Sequence, residues 1–188
     1  MAYIISSNVL LGYDLLDNND AHQQYVGPAP LKEAHTIRVV RQASGGYTAH
    51  YNALVFDQSA VSLLCEIEPG RHEIRKFERT LDAENAPIAV DYFFVAPETL
   101  PSDPPILDIE HSDLVQKTSI VYPDLKFLTF RDHYKRSLAL RRFVFQGRHL
   151  WRGAGEHFPE LYSCSDEFKR AWELRKLSGF EFEQCIEI

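Results

Sequence analysis

The last stretch of the chain, Ser165 to Ile188, constrains the fold more than any other segment. It reads as a capped helix, a stop and a half-buried strand in direct succession. Ser165 can accept a hydrogen bond from an orphan N–H of the first turn, and Asp166 and Glu167 suit the positive end of the helix dipole. Phe168, Ala171, Trp172 and Arg175 share one face, with Trp172 as its buried anchor and Arg175 snorkelling at the edge. Lys169, Arg170, Arg175 and Lys176 lie toward the negative end. Gly179 supplies the left-handed conformation just past the helix. Phe180-Glu181-Phe182-Glu183 then alternates with period two, as in a sheet with one wet face. That pattern turns Phe180, Phe182, Ile186 and Ile188 inward.

The rest of the chain reads mostly as strands. Ala2 to Ser6 is a short opening strand. Asp14 to Gly27 is polar and turn-rich, and Pro28 and Pro30 keep the chain extended. Ile37 to Ala43 and Tyr47 to Asn52 flank Ser44-Gly45-Gly46, which predicts a hairpin. Ala53 to Phe56 is a strand feeding a helix over Gln58 to Glu66, with Asp57 as N-cap and Ala60, Val61 and Leu64 at helical spacing. Pro69-Gly70 ends that helix. Ile88 to Ala96 is rich in branched and aromatic residues and reads as a buried strand. Pro97, Pro101, Pro104 and Pro105 mark a rigid connection near 97–105. It is read as an internal loop of a single domain, 1–188, because neither half alone has much core. Leu125 to Phe130 and Phe143 to Phe145 read as further strands. Strands outnumber helices and no βαβα alternation runs through the chain. The expected class is therefore α+β, a mixed, largely antiparallel sheet with a few short helices packed on it.

Composition sets outer bounds. With 188 residues, 45% hydrophobic, the chain can build a real core; a chain of this size buries about 70% of its unfolded surface. Twenty basic residues against 27 acidic give a net charge of -7. That argues against general binding to nucleic acid or an anionic membrane and favours a basic partner. Cys65, Cys164 and Cys185 are odd in number and lack a CxxC spacing, which fits a reducing compartment. No basic residue precedes Lys32, so the apolar start does not read as a secretory signal. No apolar run approaches the roughly 20 residues that span a bilayer. The expectation is a cytoplasmic protein.

Motifs for chemistry are sparse. Ser44-Gly45-Gly46 is too short for a phosphate loop and no Gly-Lys-Ser/Thr follows. Asp108, Glu110, His111 and Asp113 form an acidic cluster. Its spacing matches neither an EF-hand loop nor a zinc motif, and it reads as a metal site, a solvated loop or an acidic docking patch. Cys164 with His157 is the nearest approach to a nucleophile and base, with nothing in the sequence to lower the thiol pKa beyond the helix start that follows. No catalytic residue, metal or cofactor is assigned. Charge is more informative. Asp82 to Asp124 holds nine acids and one base, and Lys126 to Arg152 eight bases and one acid. Either neighbouring strands pair these charges, or the acidic run steers a basic partner. The aromatics within the basic run, Phe127, Phe130, Tyr134, Phe143 and Trp151, fall at strand-like intervals and suit a core better than a nucleic-acid platform.

Cys164-Ser165-Asp166-Glu167-Phe168 followed by Leu177-Ser178-Gly179-Phe180-Glu181-Phe182 resembles the closing motif of a bacterial immunity-protein family, formerly a domain of unknown function, associated with polymorphic toxin systems. His149-Leu150-Trp151-Arg152 looks like the family's Leu-Phe-Arg or Leu-Trp-Arg element. Phe56 to Ile67 and Tyr92 to Ser112 are similar to earlier family segments, so the resemblance covers roughly residues 53 to 188. It implies a protein that binds and neutralises a cognate, co-encoded toxin by occlusion, without catalysis. It carries over no site residues. From charge alone, Asp103, Asp108, Glu110 and Asp113 are expected to contact a basic toxin. Two other readings stay open: a regulatory or scaffold domain of the same fold without a toxin, and a cysteine-dependent hydrolase using Cys164. The oligomeric state is left open.

Overall fold

The computed structural model describes residues 1–7, 13–16, 36–39, 46–49, 53–100, 103–118, 126–131, 137–153 and 162–188. In chain order its elements begin with β1 (Ala2–Ser7), β2 (Tyr13–Leu16), β3 (Thr36–Val39), β4 (Gly46–Ala49), β5 (Ala53–Asp57) and α1 (Gln58–Ile67). Then come β6 (Glu73–Lys76), β7 (Arg79–Leu81), β8 (Tyr92–Ala96), β9 (Leu107–Asp108), β10 (Leu114–Thr118) and β11 (Lys126–Phe130). The last third holds β12 (Ala139–Leu140), α2 (Arg142–Phe145), β13 (Leu150–Arg152), β14 (Tyr162–Ser165), α3 (Asp166–Leu174), β15 (Phe180–Gln184) and β16 (Ile186–Glu187). The class is α+β, with mixed but largely antiparallel sheets.

The central sheet runs β13-β14-β1-β15. The start of the chain is thus inserted between two strands from its end. β15 runs on into β16, which pairs in parallel with β12, and β12 pairs with β9. The amide of Cys185 donates to Ala2 on one side, and that of Ile186 donates to Leu138 on the other. Successive strand amides point to opposite edges. The two sheets are therefore one continuous ribbon that changes partner at Cys185.

Alternation along these strands gives the ribbon two buried faces. Tyr3, Ile5, Leu150, Tyr162 and Cys164 turn to a core shared with Leu54, Phe56 and Val95, with α1, and with Phe168 and Trp172 of α3. Ala2, Trp151 and Cys185 turn to a second core with Leu100, Ile106, Leu114, Leu128, Leu138, Leu140 and Phe145. A further sheet, β4-β5-β8-β6, lies over the first core, and β2-β3-β7 and the hairpin β10-β11 complete the set.

Local signals account for the helices. Asp57 caps α1, accepting from the Ala60 amide at 2.8 Å. Ser165 caps α3 through the Phe168 amide at 3.1 Å. Trp172 is buried and stacks on Phe180 with ring centroids 4.6 Å apart.

Several expectations are corrected. The left-handed residue that stops α3 is Lys176, with φ 54°; Gly179, with φ 94°, bends the chain into β15 instead. Ile186 and Ile188 are exposed, and Cys185 is the buried residue there. The alternation itself holds, with Cys185 on the side of the second core; past Gln184 the first core no longer covers the side that carries Ile186 and Ile188. Ile37 to Ala43 and Tyr47 to Asn52 do not form a hairpin with each other: β3 pairs with β2 and β7, and β4 pairs with β5. Asp14 to Leu16 lie in β2. The strand read from Ile88 starts only at Tyr92, because Pro87 and Ile88 turn back to pair with β7. Phe143 to Phe145 lie in a one-turn helix that puts Phe145 inside and Phe143 outside. Pro28, Pro30, Ser44, Gly45 and His157 lie outside the described residues.

Candidate partner-binding surface

The acidic segment folds into a turn that follows β9 and is built around Asp108. Its carboxylate is buried and accepts from the His111 amide at 3.0 Å, with the His111 ring Nδ1 at 2.9 Å from the same oxygen. The other oxygen is gripped by Arg141, through Nε at 3.2 Å and Nη2 at 3.0 Å. Arg141 also donates to the Pro105 carbonyl at 3.3 Å, so one guanidinium ties both ends of the segment. The hydrogen bond from His111 holds the Asp108 carboxyl down to about 2 against the opposing pull of burial, with the amide of His111 and Arg141 assisting. Ser112 adds a second tie, donating to the Asp108 carbonyl and accepting from the Ala139 amide. The Asp113 amide donates to Ser137 and its carbonyl accepts from Arg131.

These bonds tie the turn at several points along its length. It brings Asp108, Glu110 and Asp113 into one loop, but in different roles. Glu110 is exposed and Asp113 half-buried, and neither side chain is paired among the described residues. Asp103, upstream, is also exposed and unpaired among them. Asp108 is turned inward, its oxygens occupied by His111 and Arg141. As for metal chemistry, among the described residues no three His, Cys, Asp or Glu side chains converge. The cation beside Asp108 is Arg141 itself.

The opposed charge blocks are partly spent on each other. Arg141 of the basic run holds Asp108 of the acidic one, and Arg148 holds Glu98 at 2.7 Å. Glu98 belongs to a network missed by sequence reading, centred on Glu68 at the end of α1. The Glu68 carboxylate accepts from the amides of His149 and Leu150 and sits 3.2 Å from His72 Nε2. The only prior signal was an acid stranded just before Pro69-Gly70.

The cysteine reading finds no support in geometry. Cys164 is sealed in the core, and burial, with Cys185 adding to it, pushes its thiol well above the ordinary value. A nucleophile needs the opposite shift. Burial likewise pushes Cys185 up to about 12. All three cysteines are free. Among the described residues no helix is long and apolar enough to cross a membrane.

Residues 59–187 fit the model of the Immunity protein family (Imm11). No curated protein matches the chain.

Proposed function

The chain belongs to the Immunity protein family (Imm11), and on that premise we propose that it binds and neutralises a toxin encoded beside it. It does so by covering the toxin's active site or substrate surface, with no catalysis of its own. The family match carries this reading, and the matched span takes in the Asp108 turn. On this reading the chain acts as a single domain, since β1 pairs between β14 and β15 at the other end. The partner is basic, in keeping with the net charge of -7, and the encounter takes place in the cytoplasm of a bacterium.

The tied turn supplies what occlusion requires. A surface ordered in advance loses little conformational freedom on binding. Exposed Asp103 and Glu110, with half-buried Asp113, raise the association rate with a basic partner. Asp108 serves the same end indirectly, by fixing the loop.

Co-expression with the toxin domain from the adjacent reading frame tests the proposal. Growth should be rescued and the two chains should co-purify. Continued killing with the chain well expressed would overturn it. Neutralising Asp103, Glu110 and Asp113 together should slow association and flatten its salt dependence. An unchanged rate at low salt would remove the steering role.

A further inference from the structure

We propose that the toxin docks on one composite face, made by the Asp108 turn and the adjoining end of the β9-β12-β16 sheet, with Ile109, Phe143 and Ile186 as apolar anchors and Asp103, Glu110 and Asp113 as an acidic rim. This rests on the toxin-neutralising reading above and adds where the partner sits and what its surface must be.

The register builds the face. Ala139 is opposite Asp108 on one side and Ile186 on the other. Directly opposed residues project from the same side of a sheet, and the next but one does too. Asp108, Ala139, Arg141, Ile186 and Ile188 therefore share a side, and the Arg141–Asp108 ion pair lies across it. Strands about 4.8 Å apart put Asp108 and Ile186 about 10 Å from each other. The Arg142 amide donates to the Ile188 carbonyl at 2.9 Å, which sets α2 and Phe143 beside this end. Ile109 directly follows Asp108 at the opposite margin.

This end is where the apolar surface gathers. Phe143 is 65% exposed, Ile186 48%, and Ile109 and Ile188 each 43%. These make four of the eight large hydrophobics exposed among the described residues. Scattered singly they would need no explanation; grouped, they mark an interaction site. The charges decide what covers it. Arg141 is committed to Asp108 and Pro105, and Arg131 to the Leu114 carbonyl. Arg142 leans on Glu187 at 4.0 Å. Asp103, Glu110 and Asp113 have no such commitment among the described residues. The complement is a protein surface with an apolar centre and Lys or Arg around it.

The test uses the full chain and the toxin domain from the adjacent reading frame. Phe143→Lys with Ile186→Lys places like charge against the basic rim and removes two anchors. Affinity should fall at least about 30-fold, chiefly through faster dissociation. The melting temperature should hold, because both side chains are exposed. Leu174→Lys, on α3 and 84% exposed, serves as control and should bind as wild type. Should the double lysine variant fold poorly, Ile109, Phe143 and Ile186 each cut to Ala in one chain should still weaken binding more than about 10-fold. Wild-type affinity in the folded variants, or an equal loss from Leu174→Lys, overturns the face while leaving the toxin-neutralising reading intact. A wild-type chain that neither binds nor protects overturns that reading and this inference with it.

Discussion

The carboxylate of Glu68 and the backbone amide of Leu150, 82 residues apart, are joined by a 2.9 Å hydrogen bond. The same oxygen accepts from the His149 amide at 3.1 Å and meets His72 Nε2 at 3.2 Å. His72 Nδ1 in turn accepts from the Glu98 amide at 3.2 Å, which leaves Nε2 as the ring's donor toward Glu68. Burial raises the Glu68 carboxyl pKa, but the hydrogen bonds from His72 and Leu150 outweigh it and the net shift is downward. This buried group fastens the end of α1 to the first residue of β13, and through β13 to the whole central sheet.

Glu68→Ala should therefore destabilise the protein far more than an ordinary helix-end substitution. It leaves two amides in the interior without an acceptor, at about 1–3 kcal/mol each before relaxation. A total loss of roughly 2–4 kcal/mol in urea unfolding is expected. Glu68→Gln keeps one oxygen and should cost about half as much. A Glu68→Ala midpoint within error of wild type would show that the bonds are not holding the two elements together.

Asp108 predicts an acid limb. Its folded pKa of about 2 lies below the unfolded value, so the unfolded chain binds the proton more readily. The stabilisation is then fully present above about pH 4 and is lost as pH falls toward 2. Glu68, also shifted down, contributes in the same direction. Asp108→Asn should lower stability at neutral pH by about 2 kcal/mol, because Arg141 loses its partner. It should also flatten the pH dependence on the acid side. Denaturant midpoints across that range decide it: wild type and variant falling in parallel would count against the ion pair.

What could be read in advance was whatever neighbouring residues decide among themselves. Ser165 as cap and Trp172 as anchor follow from spacing within one helix, and Asp57 as cap of α1 does too. The errors come from long-range partners. Ile186 and Ile188 turn outward because β16 leaves β1 for β12, beyond the cover of the first core, and nothing near Cys185 in sequence announces that. Residues 37–52 look like a hairpin, yet each strand finds a better partner elsewhere. Asp108 looked like an exposed acid until Arg141, 33 residues on, turned it inward. Phe143 passed for core because aromatics usually are, whereas α2 is a single turn with room for only one of its two phenylalanines inside. The acidic character of the candidate surface was thus legible, and its apolar half was not.

Thiol reactivity should divide the cysteines sharply. Cys65 is exposed on α1, whereas Cys164 and Cys185 are buried. Iodoacetamide on the native protein should label Cys65 first, and the other two only on unfolding, as read by peptide mass. Cys164→Ser places a hydroxyl in an apolar site and should cost about 1–3 kcal/mol. It should still protect against the toxin if it remains folded. Loss of protection in a well-folded Cys164→Ser chain would revive the hydrolase reading.

The end of α3 predicts two substitutions of opposite sign. The Leu177 amide donates to Trp172 at 3.1 Å and the Lys176 amide to Glu173 at 2.9 Å, a Schellman pattern with lysine in the left-handed position. A side chain in that conformation costs about 1 kcal/mol or more. Lys176→Gly should therefore stabilise by about 0.5–1 kcal/mol, after allowing for the looser unfolded chain. Gly179→Ala, at φ 94°, should destabilise by about 1 kcal/mol or more. Thermal midpoints moving the same way in both variants would contradict the assignment of the two turns.

Ending the chain after Leu177 should abolish cooperative folding. The deletion removes β15, which pairs with β1 from Tyr3↔Gln184 to Ser7↔Phe180. It strips Phe180 from the stack on Trp172 and Phe182 from its edge. It also removes Cys185 from the second core and frees β12 from β16. Both cores open at once, because the lost run is the point where the ribbon passes from one set of partners to the other. Phe180 and Phe182 are half-buried, so each costs less than the about 3–5 kcal/mol of a fully buried aromatic, but with a paired strand lost as well the total is comparable with the whole stability of a domain. Far-UV signal should remain in part, with loss of the sharp melting transition. A shortened chain that unfolds in one step at the full-length temperature would show that the closing strand is an accessory to the fold and not part of its frame.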